Sequence, residues 1–147
     1  MFMEDDFRLC PNALVAIQYL VHKISYLAED WIMLRISYGL NGGLIRGPDV
    51  AAFRQHLLNR HRERPPDHIL VEWYAQEREE TKAYGKGRPF FASRYNLFEH
   101  LGAVSSLDAG GRGAFAGCYD LMDGDVLFEV EAFKVKECPH QDVWPCT

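Results

Sequence analysis

No apolar run in this 147-residue chain approaches the roughly 20 residues needed to span a bilayer. The basic n-region of a secretory leader is missing too, because Met1 is followed almost at once by Glu4, Asp5 and Asp6. Basic surplus is lacking: 16 Lys and Arg stand against 21 Asp and Glu, for a net charge of -5. The densest basic stretches, Arg54 to Arg64 and Arg78 to Arg88, are diluted by Glu and His, which argues against a nucleic-acid binder. None of the four cysteines (Cys10, Cys118, Cys138, Cys146) falls in a C-x-x-C pair, so a zinc site is disfavoured. They can pair in three ways; a local Cys138–Cys146 bridge and free buried thiols stand level, and the redox compartment stays open. Glycines occur without a G-x-G-x-x-G or Walker spacing, and Ser105-Ser106 lacks the G-x-S-x-G turn that exposes a nucleophile.

What is present suits one ordinary folded domain. The chain is 48% hydrophobic and 13% aromatic, enough to bury roughly 70% of its unfolded surface. An apolar stub, Met1-Phe2-Met3, runs into the acidic triplet as a short strand would. Pro11 then sits as a first-turn residue, and Leu14, Ile17, Leu20, Val21, Ile24 and Leu27 recur at helical spacing over about five turns. Trp31 to Ser37 is too short and too uniformly apolar for a helix, so it is expected to be a strand covered on both faces. Glycines and Pro48 mark residues 38–48 as a loop. Asp49 is placed to cap a second helix with Val50, Phe53, Leu57 and Leu58 inward, and Asp67 to start a third with Leu70, Trp73 and Tyr74 inward. Phe90-Phe91 and Leu97-Phe98 are short apolar runs around Arg94, which could neutralise phosphate or pair with Glu99. Residues 108–117 are rich in glycine, Val126, Phe128 and Val130 alternate like a late strand, and the last ten residues look irregular. This order of elements gives an α/β or α+β fold.

Few residues stand out chemically. Three adjacent carboxylates, Glu4, Asp5 and Asp6, after a strand suit a hard divalent cation, because ligands collect beyond strand ends and Mg²⁺ or Mn²⁺ prefers oxygen. On the triplet alone, the simpler reading is acids placed near the start of a following helix, where its dipole favours them. His100, in an apolar segment, reads by itself as a hydrogen-bonded core residue. His22, His56, His61, His68 and His140 read as surface groups.

Taken in order, these pieces resemble one family. The series is Phe2-Met3-Glu4-Asp5-Asp6, a helix, Trp31 to Ser37, the Gly39 to Gly43 loop, Pro48-Asp49, Arg64-Pro65-Pro66-Asp67, and Leu97-Phe98-Glu99-His100-Leu101-Gly102 with Ser105-Ser106-Leu107. Over about residues 2–107 it is similar to the distal part of the catalytic domain of the N-acetylglucosaminyltransferase IV family, Golgi enzymes that branch N-glycans. The triplet and the L-F-x-H-x-G block are also similar to the GPI-anchor N-acetylgalactosaminyltransferase.

The resemblance implies the distal half of a GT-A fold over residues 1–107, a mixed sheet flanked by helices. Residues 108–147 follow as a glycine-rich loop, late strand and Cys/Pro tail. It implies Mn²⁺ (or Mg²⁺) at Glu4, Asp5 and Asp6, with Asp6 the direct ligand and His100 near the metal or diphosphate. Gly39, Gly42 and Gly43 would lie under donor sugar and acceptor, and Asp67 would be the catalytic base. The partners implied are a UDP-sugar donor and the N-glycan of a glycoprotein as acceptor, in the Golgi lumen. Here His68 stands where the family carries Trp, the glycine loop is about one residue shorter, and nothing corresponds to the uridine-binding half or a membrane anchor. The chain is therefore expected to be a fragment of an inverting, metal-dependent glycosyltransferase, inactive by itself. The alternatives are a non-catalytic glycosyltransferase-like module, a relative of the GPI-glycan enzyme, or a plain α/β domain whose acidic and histidine features are caps and core.

Overall fold

The computed structural model describes residues 1–38, 41–101, 116–122 and 140–144. Gly39, the Gly102 to Leu107 block, most of the 108–117 stretch, the strand expected at Val126 to Val130, and Cys138 and Cys146 lie outside the described residues. The fold is mixed α/β. In chain order the strands are β1 (Phe7–Leu9), β2 (Met33–Arg35), β3 (Gly43–Ile45), β4 (Phe90–Ser93), β5 (Phe98–His100) and β6 (Val143–Trp144). The helices are α1 (Ala13–Leu27), α2 (Val50–Arg60), α3 (Pro66–Tyr74) and α4 (Glu79–Gly85), with one 3₁₀ turn at Gly47–Asp49 before α2.

Four strands form one sheet in the order β3-β2-β4-β6. β2 and β4 run parallel, and the long crossover that parallel strands require carries α2, α3 and α4. Side chains alternate across this sheet with period two. Leu34 pairs with Leu44 and Phe91, and all three belong to the core under α1 with Ile17, Leu20 and Ile24. Met33 pairs with Ile45 and Phe90, and these face the second core with Phe53, Leu70 and Trp73 from α2 and α3. The two-sided burial expected of Trp31 to Ser37 is therefore observed, and each fully buried Leu or Ile in it contributes about 1.5–3 kcal/mol.

Among the described residues the second sheet is β1 against β5, antiparallel, with Phe7 opposite His100, Arg8 opposite Glu99 and Leu9 opposite Phe98. A two-stranded ladder this short is marginal by itself. It is held by Phe7 and Phe98 in the core and by a disulfide from Cys10, the residue after β1, to Cys118. With a sequence separation of 108 between the cysteines, that link stabilises the fold by about 4.7 kcal/mol in the chain-entropy account. Asn96 anchors the same neighbourhood: its side-chain amide donates to the carbonyls of Phe98, Ala116 and Gly117, and its Oδ1 accepts from Ser37 Oγ.

Several expectations are corrected. The strand lies after the acidic triplet rather than before it: Phe2 makes a single bridge to Gly43, residues 5–6 form a turn, and β1 starts at Phe7. Helix α1 begins at Ala13, behind a left-handed Asn12, so Pro11 is not in its first turn. Leu14 is 64% exposed because Ala13, one position round the helix, takes the inward place. The loop expected at 38–48 contains β3. On α2 only Phe53 is buried, and Asp49 does not cap; its carboxylate takes Arg88 at 2.6 Å and the Tyr84 hydroxyl at 2.6 Å. Glu99 pairs with Arg8 at 2.6 Å rather than with Arg94, whose guanidinium reaches the carbonyl of His140. Val143 and Trp144, expected to be irregular, add to the main sheet as β6.

Candidate functional site

The antiparallel register of β1 and β5 determines where the acidic turn meets the histidine. Pairing Phe7 with His100 puts the residue before β1 at the end of β5, and the Leu101 amide donates to the Asp6 carbonyl at 2.7 Å. There Asp6 Oδ2 lies 3.0 Å from His100 Nε2, across 94 residues of sequence. The Phe7 ring meets His100 edge-on at 4.7 Å, and Tyr38 packs behind Phe7 at 5.9 Å. The imidazole is thus fixed by packing and 12% exposed, while the Asp6 carboxylate is 41% exposed.

Two chemistries fit this pair. With a proton on Nε2, the contact is a charge-assisted hydrogen bond. With Nε2 bare, an oxygen and a nitrogen lone pair stand about as far apart as adjacent ligands on one octahedral cation, roughly 3 Å. Asp and His are a fitting donor set for Mn²⁺, which accepts both oxygen and imidazole. Among the described residues no three His, Cys, Asp or Glu side chains gather closely enough to hold a metal ion. From the described residues a cation here would take two protein ligands, the rest of its shell coming from elsewhere, as in Mg²⁺-type sites beside phosphates, which keep several waters.

The other members of the triplet are placed differently. Glu4 is engaged by Asn41: its amide donates to Asn41 Oδ1 at 2.8 Å, and Asn41 Nδ2 returns a bond to Glu4 Oε2 at 2.7 Å. This reciprocal pair, together with the Phe2–Gly43 bridge, holds the acidic turn against the glycine loop. Asp5 projects from the turn into solvent. Sequence reasoning missed both Asn41 and Phe7; an Asn beside two glycines carried a signal for a turn but none for its partner.

The glycines are where the chain packs most closely on itself. Gly42 has φ +68°, and a Cβ there would stand 2.7 Å from Ile36 Cγ1 and 3.1 Å from Phe98 Cε2. A Cβ on Gly43 would come within 2.9 Å of Leu70 Cδ2. The close approach these glycines permit is thus to the protein's own core. Through Leu70, the contact at Gly43 also brings α3 against the glycine loop. Asp67 lies one turn before Leu70, in the first turn of α3; its carboxylate is one-third exposed and 3.9 Å from His68. The structure therefore joins Asp6 with His100 and Glu4 with the glycine loop, while Asp67 makes contact with neither pair.

No protein-family model, curated protein or solved structure matches the chain. No described helix is long and apolar enough to cross a membrane.

Proposed function

We propose that this chain carries the metal- and acceptor-facing part of an inverting glycosyltransferase that transfers N-acetylglucosamine from UDP-GlcNAc to a mannose of an N-glycan. Asp6 and His100 would hold Mn²⁺ or Mg²⁺ in a GT-A-like arrangement. When bound, the cation supplies Lewis-acid neutralisation of the departing diphosphate. Asp67 would accept the proton of the attacking sugar hydroxyl, a role worth about 10²–10⁴-fold. Asn41 holds the acidic turn in place, and Phe7 holds the plane of the imidazole. One observation carries the reading: the motif order led to Asp6 and His100 as partners, and their side chains meet at 3.0 Å. The Cys10–Cys118 disulfide adds support, since such bonds persist in oxidising compartments of the kind a Golgi enzyme occupies.

A second reading is a non-catalytic glycosyltransferase-like module that binds glycan. It is favoured by Gly42 and Gly43, whose open sides are filled by Ile36, Phe98 and Leu70 rather than left for a ligand.

Manganese titration of the full chain, with and without UDP-GlcNAc, tests the first reading. Saturable Mn²⁺ binding that is lost in both Asp6→Asn and His100→Gln is the expected result. Binding unchanged by either substitution would overturn the metal site, and sugar binding without Mn²⁺ would select the module.

A further inference from the structure

The β1–β5 ladder has a tie at each end, and the two ties differ in kind. At one end stand the Asp6–His100 contact and the bond from the Leu101 amide to the Asp6 carbonyl. At the other end the Cys10 amide donates to the Leu97 carbonyl at 3.0 Å, and the Cys10 side chain is bonded to Cys118. Four residues of extended chain, about 13 Å, separate them. Between them lie three residue pairs and one half-exposed ion pair, Arg8 with Glu99. Among the described residues this ladder is separate from the four-stranded sheet, and no third strand pairs with it.

We infer that the Cys10–Cys118 disulfide is a redox lever on the Asp6–His100 pair. Closing it fixes the far end of β1 and holds the two side chains together; opening it lets the ladder fray and the pair separate. Segment 116–122 keeps its own hold when the bond opens, because Tyr119 N–H and Asp120 C=O bond to the Asn96 backbone and Met122 N–H bonds to Arg94 C=O. The element that loses hold is therefore β1 rather than the segment bearing Cys118. Besides its own ladder and core contacts, β1 is left with the Glu4–Asn41 pair and Phe2–Gly43 bridge before it and the bond from the Tyr119 hydroxyl to the Pro11 carbonyl after it.

The chemistry is a plain exchange with a dithiol reductant. Cys118 is the more accessible partner, since Cys10 is only 3% exposed. A thiolate of the reductant attacks the Cys118 sulfur, forms a mixed disulfide and expels Cys10 as a thiolate, which takes up a proton. The second thiol of the reductant then closes on its own sulfur and releases Cys118 as a thiol. Two electrons pass from the dithiol to the protein disulfide, leaving two protein thiols and an oxidised reductant. By linkage, whatever stabilises the Asp6–His100 pair also resists reduction by the same factor.

The lever on the pair stands whatever the pair binds; its effect on metal affinity rests on the glycosyltransferase reading. Residue-resolved amide exchange of the full chain, oxidised and dithiol-reduced, tests it, with Cys10→Ala/Cys118→Ala as a form needing no reductant. Opening the bond should accelerate exchange of the amides at positions 10 and 101 about tenfold, while those of Ile32 and Ala75, just before β2 and just after α3, stay within about twofold. Mn²⁺ affinity of the double variant should fall about fivefold or more. Equal acceleration at all four amides would make the disulfide a general brace and overturn the inference, as would no change at any. Selective acceleration with no Mn²⁺ binding in either form would uphold the lever and sink the metal reading instead.

Discussion

Glu72 and Asp6 both face cationic or basic partners, and they are built on opposite terms. Glu72, in α3, is fully buried. Its Oε1 meets Arg78 at 2.8 Å, Arg60 at 3.2 Å and His56 at 3.3 Å, and its Oε2 meets Arg64 at 2.9 Å. Those partners come from α2, the turn after it and the start of α4, so one carboxylate ties three helices together. Asp6 sits in a turn, 41% exposed, with His100 as its side-chain partner. A carboxylate ringed by three guanidinium groups and closed to solvent has no path for a ligand. Asp6 keeps such a path, and this difference separates a structural charge from a candidate site more clearly than residue type does.

The largest expected effect would come from breaking the buried centre. Glu72→Gln leaves three guanidiniums facing one another without a counter-charge and should cost about 3–5 kcal/mol in urea denaturation. A loss below about 1 kcal/mol would show that solvent reaching Arg64 and Arg78 already screens the cluster, and the comparison would fail. Asp6→Asn should behave in the opposite way. It should change stability by less than about 0.5 kcal/mol, as surface substitutions do, while weakening Mn²⁺ binding about a hundredfold, close to 2.7 kcal/mol.

Acid should separate the two centres as well. Burial works to raise the Glu72 pKa, but hydrogen bonds from Arg78 and Arg64 outweigh it and hold the carboxyl below the ordinary glutamate range. Asp49, held by Arg88 and Tyr84, and Asp142, held by Lys23 and Tyr19, are lowered in the same way. For such groups the stabilisation is full above the unfolded-state value and is lost as pH falls through the folded one, so it disappears below about pH 4. His56 is different: burial lowers its pKa from 6.5, and Arg60 and Arg78 work with burial against Glu72 and Glu80. The unfolded chain therefore takes up the proton first, and stability begins to decline below about pH 6.5, by at most about 1.4 kcal/mol per pH unit. His56→Gln should remove this shallow decline between pH 7 and 5.5 and leave the steeper one below pH 4. Unfolding free energies at those pH values provide the check.

What could be read from the sequence follows from how far each cause reaches along the chain. Leu34 announced a two-sided strand because its apolar neighbours from Trp31 to Ile36 are adjacent in sequence, whereas Phe90-Phe91 read only as a short apolar run. His100 and Asp6 were connected only through motif order, and it was the register of β1 with β5 that brought them together. The signal for Glu72 was visible as a lone charge inside Leu70-Val71-Glu72-Trp73-Tyr74, yet its partners lie on other helices or turns and no local pattern marks them. Cys10 and Cys118 could not be matched either, since pairing depends on a chain reversal more than a hundred residues long. Leu14 was misplaced because one left-handed residue, Asn12, shifts the start of α1 and turns that side chain outward.

The smallest expected effect tests the comparison most finely, because α3 carries both kinds of acid. Asp67 lies in its first turn, where a carboxylate gains about 0.3–1 kcal/mol from the helix dipole, and Glu72 lies one and a half turns further on. Asp67→Asn should therefore cost no more than that in stability. If Asp67 serves as the base, the same substitution in a catalytically competent form should lower kcat far more than it raises KM for the donor, since the proton is taken only in the transition state. A stability loss approaching that of Glu72→Gln would move Asp67 to the structural side. Equal changes in kcat and KM would leave it as an exposed first-turn acid, and the transfer chemistry would then need a different base.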